Sequence, residues 1–149
     1  NGRLFREGDK VMQVRNNYDM VWKKDDGEMG QGIFNGDIGI IERMDPALRM
    51  MAIRFDDRVA DYPYDSLGEL DHAYAITVHK SQGNEFEAVI IPLMDVSSRL
   101  CYRNLLYTAV TRAKKLLIIV GDARAVYTMV DNNRRTGRFT NLRYMLEEK

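Results

Sequence analysis

The stretch Tyr102–Val120, YRNLLYTAVTRAKKLLIIV, constrains this chain more than any other, because it sets a cation on the edge of an apolar helix face. At about 100° per residue, Cys101, Tyr102, Leu105, Leu106, Ala109, Val110 and Ala113 form one broad apolar stripe. Asn104, Thr108 and Thr111 form a neutral polar strip beside it, and Arg112 falls on the seam between the two. A guanidinium buried there without an anion is strongly destabilising. The run Lys115–Val120 (KLLIIV) that follows reads as a buried strand, so Arg112 must meet a negative group close to a helix–strand junction.

A length of 149 residues holds one ordinary domain or two small ones. Apolar content of 45% with 30% charged residues is that of a soluble globular chain. No apolar run approaches the length of a membrane span and no signal-peptide pattern opens the sequence, so neither is expected, and a cytoplasmic location is. The single cysteine, Cys101, lies on the apolar stripe and reads as a core residue in a reducing compartment; a disulfide or cysteine zinc site is excluded by count. Asn1–Gly8 reads as the tail of a preceding segment, so a fragment of a longer protein is expected. Net charge is zero, yet residues 1–70 carry ten Lys/Arg against fourteen Asp/Glu, and residues 71–149 carry twelve against eight. A basic second half is compatible with a phosphate-bearing partner.

The first half reads as β. Lys10–Arg15 alternates, with Val11, Gln13 and Arg15 on one face. A polar, glycine-bearing loop is expected from Asn16 to Gly32. Asn35-Gly36-Asp37 is a turn signal that leads into the strand Ile38–Met44, and Met50–Phe55 and Arg58–Tyr64 follow across Asp56-Asp57. Four or five such strands predict a small barrel over about 60 residues. The second half changes rhythm: Tyr74–Val78, Ala88–Leu93 and Lys115–Val120 read as apolar strands, and Gly121-Asp122 caps a helix through Val130. This order predicts an α/β parallel sheet covered on both faces, with ligands at the carboxyl ends of its strands, after which His79–Gly83 and Gly121-Asp122 fall. A basic RRTGR segment and an amphipathic stretch with Phe139, Leu142, Tyr144, Met145 and Leu146 close the chain.

His79-Lys80-Ser81-Gln82-Gly83-Asn84-Glu85 sets polar side chains around one glycine. Gly83 permits a sharp turn, and Lys80, the Ser81 hydroxyl and exposed amides there are suited to a phosphate, although any loop between buried strands is polar. No GxxxxGK[ST] occurs, so the chain cannot cradle a nucleoside triphosphate alone. His72 and His79 lack partners for a metal site, and no metal is expected. Tyr18, Trp22 and Phe34, near Lys23 and Lys24, are suited either to stacking bases or to packing the barrel.

TVHKSQGNEF (Thr77–Phe86) followed by RNLLYTAVTRAKKLLIIVGD (Arg103–Asp122) resembles the last two motif blocks of superfamily 1 DNA helicases, in particular the RecD-like branch. GDKVMQVRNNYD (Gly8–Asp19) and FNGDIGIIE (Phe34–Glu42) resemble the SH3-like barrel which that branch inserts into its second RecA-like domain. The resemblance implies an SH3-like barrel over 1–68 and, over 69–149, the C-terminal part of a RecA-like parallel sheet of the P-loop NTPase fold, without its P-loop. It further implies a 5′-to-3′ helicase working on single-stranded DNA in recombination and repair, either stand-alone or with RecB/RecC-type subunits in exodeoxyribonuclease V. ATP and Mg²⁺ would be bound mainly by a first RecA-like domain that this chain lacks. Arg112 matches the arginine finger, Tyr107 and Thr111 support it, and Gly83 and Glu85 fall on the nucleotide side. His79, Lys80 and Ser81 match the block that touches the single-strand backbone. The alternative is a nucleic-acid-binding or protein-docking module that drives nothing.

Overall fold

The computed structural model describes residues 3–94, 97 and 99–133, and the chain divides into two compact units, Asn1–Asn84 and Glu85–Lys149. The first is built from β1 (Lys10–Gln13), β2 (Asn17–Lys24), β3 (Met29–Ile33), β4 (Ile38–Asp45), β5 (Met50–Phe55), β6 (Arg58–Pro63) and β7 (Leu70–His72). They hydrogen-bond in the order β3-β2-β6-β5-β4-β1-β7, with every neighbouring pair antiparallel. Ile33 on one edge strand and Leu70 on the other nevertheless belong to the same buried cluster, with Val11, Ile41, Ile53 and Phe55 between them. A flat sheet cannot bring its two edges to one core, so this one curls around it. The expected boundary at 68/69 falls just before β7, which pairs with β1, and the compact unit continues to Asn84.

The core of this unit carries one buried polar knot. Gln13 is wholly buried; its amide donates to Glu69 Oε2 at 3.0 Å, and its Oε1 accepts from the Tyr62 hydroxyl at 3.1 Å. Asn17 donates to the same Glu69 oxygen at 2.9 Å. Strict alternation along β1 fails: Val11, Met12 and Gln13 are all buried, Met12 in the lining of a cavity shared with Ala75, Ile76 and Thr77 of the segment after β7.

Two expectations need correction here. The segment Asn16–Gly32 is not a loop: β2 and most of β3 lie in it, joined by a turn at Asp25–Glu28 with Gly27 at φ +93°. The hairpin is hidden in the sequence because β2 buries only Met20 and β3 carries two glycines. Gly30 is there for space, since a Cβ would overlap the Trp22 ring lying over it. Tyr74–Val78 is not a strand either. Tyr74 is exposed and stacks on His72 with its hydroxyl on Asp9 at 2.7 Å, while Thr77 and Val78 begin the next turn.

The second unit contains β8 (Phe86–Leu93), α1 (Arg103–Val110), β9 (Ala113–Gly121) and α2 (Ala123–Asp131). β8 and β9 pair in parallel, from Phe86↔Ala113 to Leu93↔Gly121. The strands approach so closely at their far end that a Cβ on Gly121 would overlap the Leu93 carbonyl. Cys101, Leu106 and Ala109 are buried, as the apolar stripe predicts, and Asp122 caps α2 by accepting from the Arg124 amide at 2.8 Å. The start of α1 is tied to the end of α2: Arg103 Nε donates to the Val130 carbonyl at 2.6 Å, and Asn132 Nδ2 to that of Cys101. The expectation of strands covered on both faces is not met. Ile90, Leu116, Ile118, Ile119 and Val120 are exposed, because among the described residues this unit brings only two strands and two short helices. The basic segment and the amphipathic stretch after residue 133 lie outside the described residues.

Candidate functional site

The loop after β7 is a tight turn docked on the barrel. Backbone bonds from Ser81 N to Thr77 O, Gln82 N to His79 O and Asn84 N to Ser81 O wind residues 77–84 into a compact coil. Ser81 is buried and its hydroxyl donates to the Val78 carbonyl at 2.8 Å, so this side chain holds the turn from inside. His79 and Lys80 are exposed. Gly83 has φ +92° with open space around it; the backbone angle, not crowding, calls for glycine there. Lys80 Nζ meets Asp71 Oδ2 at 2.7 Å, and Asn84 Nδ2 donates to the Gly36 carbonyl at 3.1 Å. The turn is thus pinned to β7 at one place and to the Asn35-Gly36 turn at another.

The base of this assembly is a second charged cluster. Asp9 accepts from the Tyr74 hydroxyl at 2.7 Å, the Arg6 amide at 2.9 Å and His72 Nε2 at 3.3 Å. The Tyr74 hydroxyl, then the Arg6 amide, hold the Asp9 carboxyl below its ordinary range. Asp71 is lowered in the same sense, chiefly by Lys80. His72 is further held between the rings of Phe5 and Tyr74.

In the second unit Arg112 lies at the end of α1, one residue before β9. Its Nε donates to the Thr108 carbonyl at 3.1 Å and its Nη2 to Thr111 Oγ1 at 3.3 Å. Its own carbonyl accepts from Phe86 N at 2.8 Å, which joins the helix–strand junction to the start of β8. Thr111 Oγ1 also reaches the Thr108 carbonyl at 3.1 Å, so the helix's last turn is a small polar cradle for the guanidinium. Tyr107 is exposed one turn earlier, and Glu85 is exposed just before β8, facing Lys114 Nζ at 3.7 Å.

Glu85 and Arg112 stand at the amino ends of β8 and β9, opposite to the carboxyl ends at which ligands were expected. Gly121-Asp122, at the opposite end, serves α2 as its cap. His79, Lys80, Ser81 and Gly83 belong to the first unit, and Glu85, Tyr107, Thr111 and Arg112 to the second. Sequence reasoning missed Asp9, Asp71 and Arg3, whose partners lie far along the chain and leave no periodic signal.

The chain thus carries a curled antiparallel barrel and, downstream of it in sequence, a parallel strand pair with an arginine cradled between helix and strand. Residues 1–55 match the family described as the ATP-dependent RecD-like DNA helicase SH3 domain, and residues 72–120 the UvrD-like helicase C-terminal domain. The RecBCD enzyme subunit RecD of Mycobacterium tuberculosis is 35% identical over 120 residues, 80% of this chain and 20% of that protein. The ATP-dependent RecD2 DNA helicase of Deinococcus radiodurans is 33% identical over 120 residues, 80% of this chain and 15% of that protein. A Pif1 helicase structure from Bacteroides, in complex with ADP-AlF3 and ssDNA, shares the fold at a TM-score of 0.55 and 18% identity, covering 97% of this chain and 33% of that one.

The chain belongs to the RecD-like helicases and carries their SH3 domain and UvrD-like C-terminal domain. It spans about one fifth or less of the length of these curated relatives. Among the described residues no helix is long and apolar enough to cross a membrane, and no group of three His, Cys, Asp or Glu side chains is placed to hold a metal.

Proposed function

We propose that this chain is the C-terminal portion of an ATP-dependent 5′-to-3′ DNA helicase of recombination and repair, working in the cytoplasm. In this reading residues 69–149 resume the second RecA-like motor domain after the barrel, and β8 and β9 are two strands of its parallel sheet. Arg112 is the arginine finger. The observation that carries this is its setting: a guanidinium at a helix end, aimed by Thr108 and Thr111, on the same strand edge as the Glu85 carboxylate.

A finger of this kind works by placing fixed positive charge where negative charge develops on the transferred phosphoryl group, and such residues contribute about 10³–10⁵ in rate. The cradle keeps the guanidinium oriented, so less reorganisation is needed when the cleft closes. Glu85 accepts hydrogen bonds from hydroxyls of the nucleotide sugar, and Gly83 gives the chain its turn two residues before it. One cation and one carboxylate fit the far side of an ATP site and not its whole. Mg²⁺ and the phosphates are held by the first motor domain, which is the partner this surface meets.

His79 and Lys80 touch the backbone of single-stranded DNA, and Ser81 shapes the turn that presents them. RecB/RecC-type subunits are further partners if the parent protein works in an exodeoxyribonuclease V assembly. The test is Arg112→Ala in the full-length protein: DNA-stimulated ATP turnover falls by about 10³-fold or more while nucleotide affinity changes little. An unchanged kcat places the finger elsewhere.

A further inference from the structure

Asp71 holds two cations at once. Its Oδ2 meets Lys80 Nζ at 2.7 Å and its Oδ1 meets Arg3 Nη1 at 2.5 Å. The carboxylate is fixed by strand pairing, with Asp71 opposite Met12 of β1, and Arg3 is fixed by a further bond from Nη1 to the Leu70 carbonyl at 2.9 Å. The three groups border a cavity of about 290 Å³ that His72 and Thr77 also line. Lys80 and Arg3 are nearly half exposed and Asp71 about a quarter, so the pairs sit at the cavity mouth within reach of a ligand.

Ion pairs this exposed contribute little to stability. Their geometry has another consequence. Two cations that share one carboxylate, one on each oxygen, are spaced for any anion with two charged oxygens on one centre. A phosphodiester has two such oxygens, and charge-assisted bonds from Lys and Arg to phosphate are strong. The seat is net +1 with Asp71 in place and net +2 once the carboxylate is displaced or neutralised.

We propose that Arg3 and Lys80 form a phosphodiester seat for single-stranded DNA, and that Asp71 is its resident anion, which an incoming phosphate displaces. Asp71 thereby sets how tightly the turn holds DNA and limits capture of stray anions. The inference rests on the reading that Lys80 meets DNA, and adds Arg3 as a second phosphate ligand and Asp71 as an internal competitor. No bond to the DNA is made or broken; the step is an exchange of ion pairs.

The test is fluorescence anisotropy of a labelled oligothymidylate with the 149-residue chain over a salt series. Asp71→Asn binds several-fold tighter, with the slope of log K against log salt steeper by about 0.7, the value for one more single-strand phosphate contact. Lys80→Met and Arg3→Met each bind more weakly with a shallower slope, and Asp71→Asn combined with Lys80→Met loses the gain. Arg3→Met leaves Asp71 and its strand intact, and so probes the seat even where Asp71→Asn does not fold. If Lys80→Met leaves affinity and slope unchanged, the DNA reading of the turn fails and the inference with it. If Lys80→Met weakens binding while Arg3→Met does not, or Asp71→Asn brings no gain, the resident-anion inference alone is overturned.

Discussion

Arg112 Nη2 donates to Thr111 Oγ1 at 3.3 Å, across a single peptide unit. Adjacent side chains on a helix normally point apart. They meet here because Thr111 is the C-cap of α1, where the helix ends and Arg112 can turn back over its last turn. Replacing Thr111 by Val keeps the shape and removes the acceptor. In the full-length protein, Thr111→Val is expected to lower ATP turnover about 10- to 100-fold, short of the loss in Arg112→Ala, since one hydrogen bond to a charged group is worth about 1.5–3 kcal/mol. Steady-state ATPase assays of both variants check the order.

The Tyr62–Gln13 bond predicts a stability effect without a functional one. Tyr62→Phe leaves Gln13 Oε1 buried without that donor, at a cost of about 1–3 kcal/mol in urea unfolding. Burial first, then the Glu69 carboxylate, raise the Tyr62 phenol above its ordinary value. A raised folded value means that the contribution is intact below pH about 10 and is lost as pH rises further. Tyr62→Phe should therefore unfold with less sensitivity to alkali than the native chain.

Trp22 is the chain's single tryptophan, and it lies directly over Gly30. Gly30→Ala must lift the ring or spread β2 from β3. The expected result is a red-shifted tryptophan emission and a loss of about 1–3 kcal/mol, the usual cost of overpacking. Gly68→Ala, where a Cβ meets nothing, is the control and should leave both readings in place.

Asp9 predicts acid sensitivity. Its carboxyl is held below the ordinary value by the Tyr74 hydroxyl first and the Arg6 amide next. A depressed folded value contributes stability that is present above pH about 4 and lost as pH falls through the folded value. The melting temperature at pH 7 should exceed that at pH 3, and the gap should narrow in Asp9→Asn. Asp71, lowered in the same direction by Lys80, keeps part of the gap open.

Much of the fold was legible because its signals are local. Met50–Phe55 reads as a strand and buries Met51, Ile53 and Phe55 in the core, Asp122 announces the α2 cap, and the stripe of α1 buries Leu106 and Ala109. Where local signals mislead, the strands are governed by neighbours. The β2–β3 hairpin reads as loop because it is rich in glycine, and Gly30 is there to make room for Trp22, a contact between strands. Tyr74–Val78 reads as strand because it is apolar, but Tyr74 gains more from stacking on His72 and bonding Asp9 than from a ladder with no partner.

The sequence by itself determined the order of the parts: a barrel, a polar turn, and an arginine between a helix and a strand, each written in spacing and turn chemistry. Only the tertiary structure decided what Arg112 and Lys80 touch. Helical phase sets Arg112 on a seam, but the end of α1 at Thr111 turns its guanidinium back onto Thr108 and Thr111. Lys80 reads as a solvent-facing cation until β7, pairing with β1, brings Asp71 beneath it and Arg3 to the other oxygen. Electrostatic partners are chosen by distance in space, and residues remote in the chain become near neighbours only after the sheet has curled.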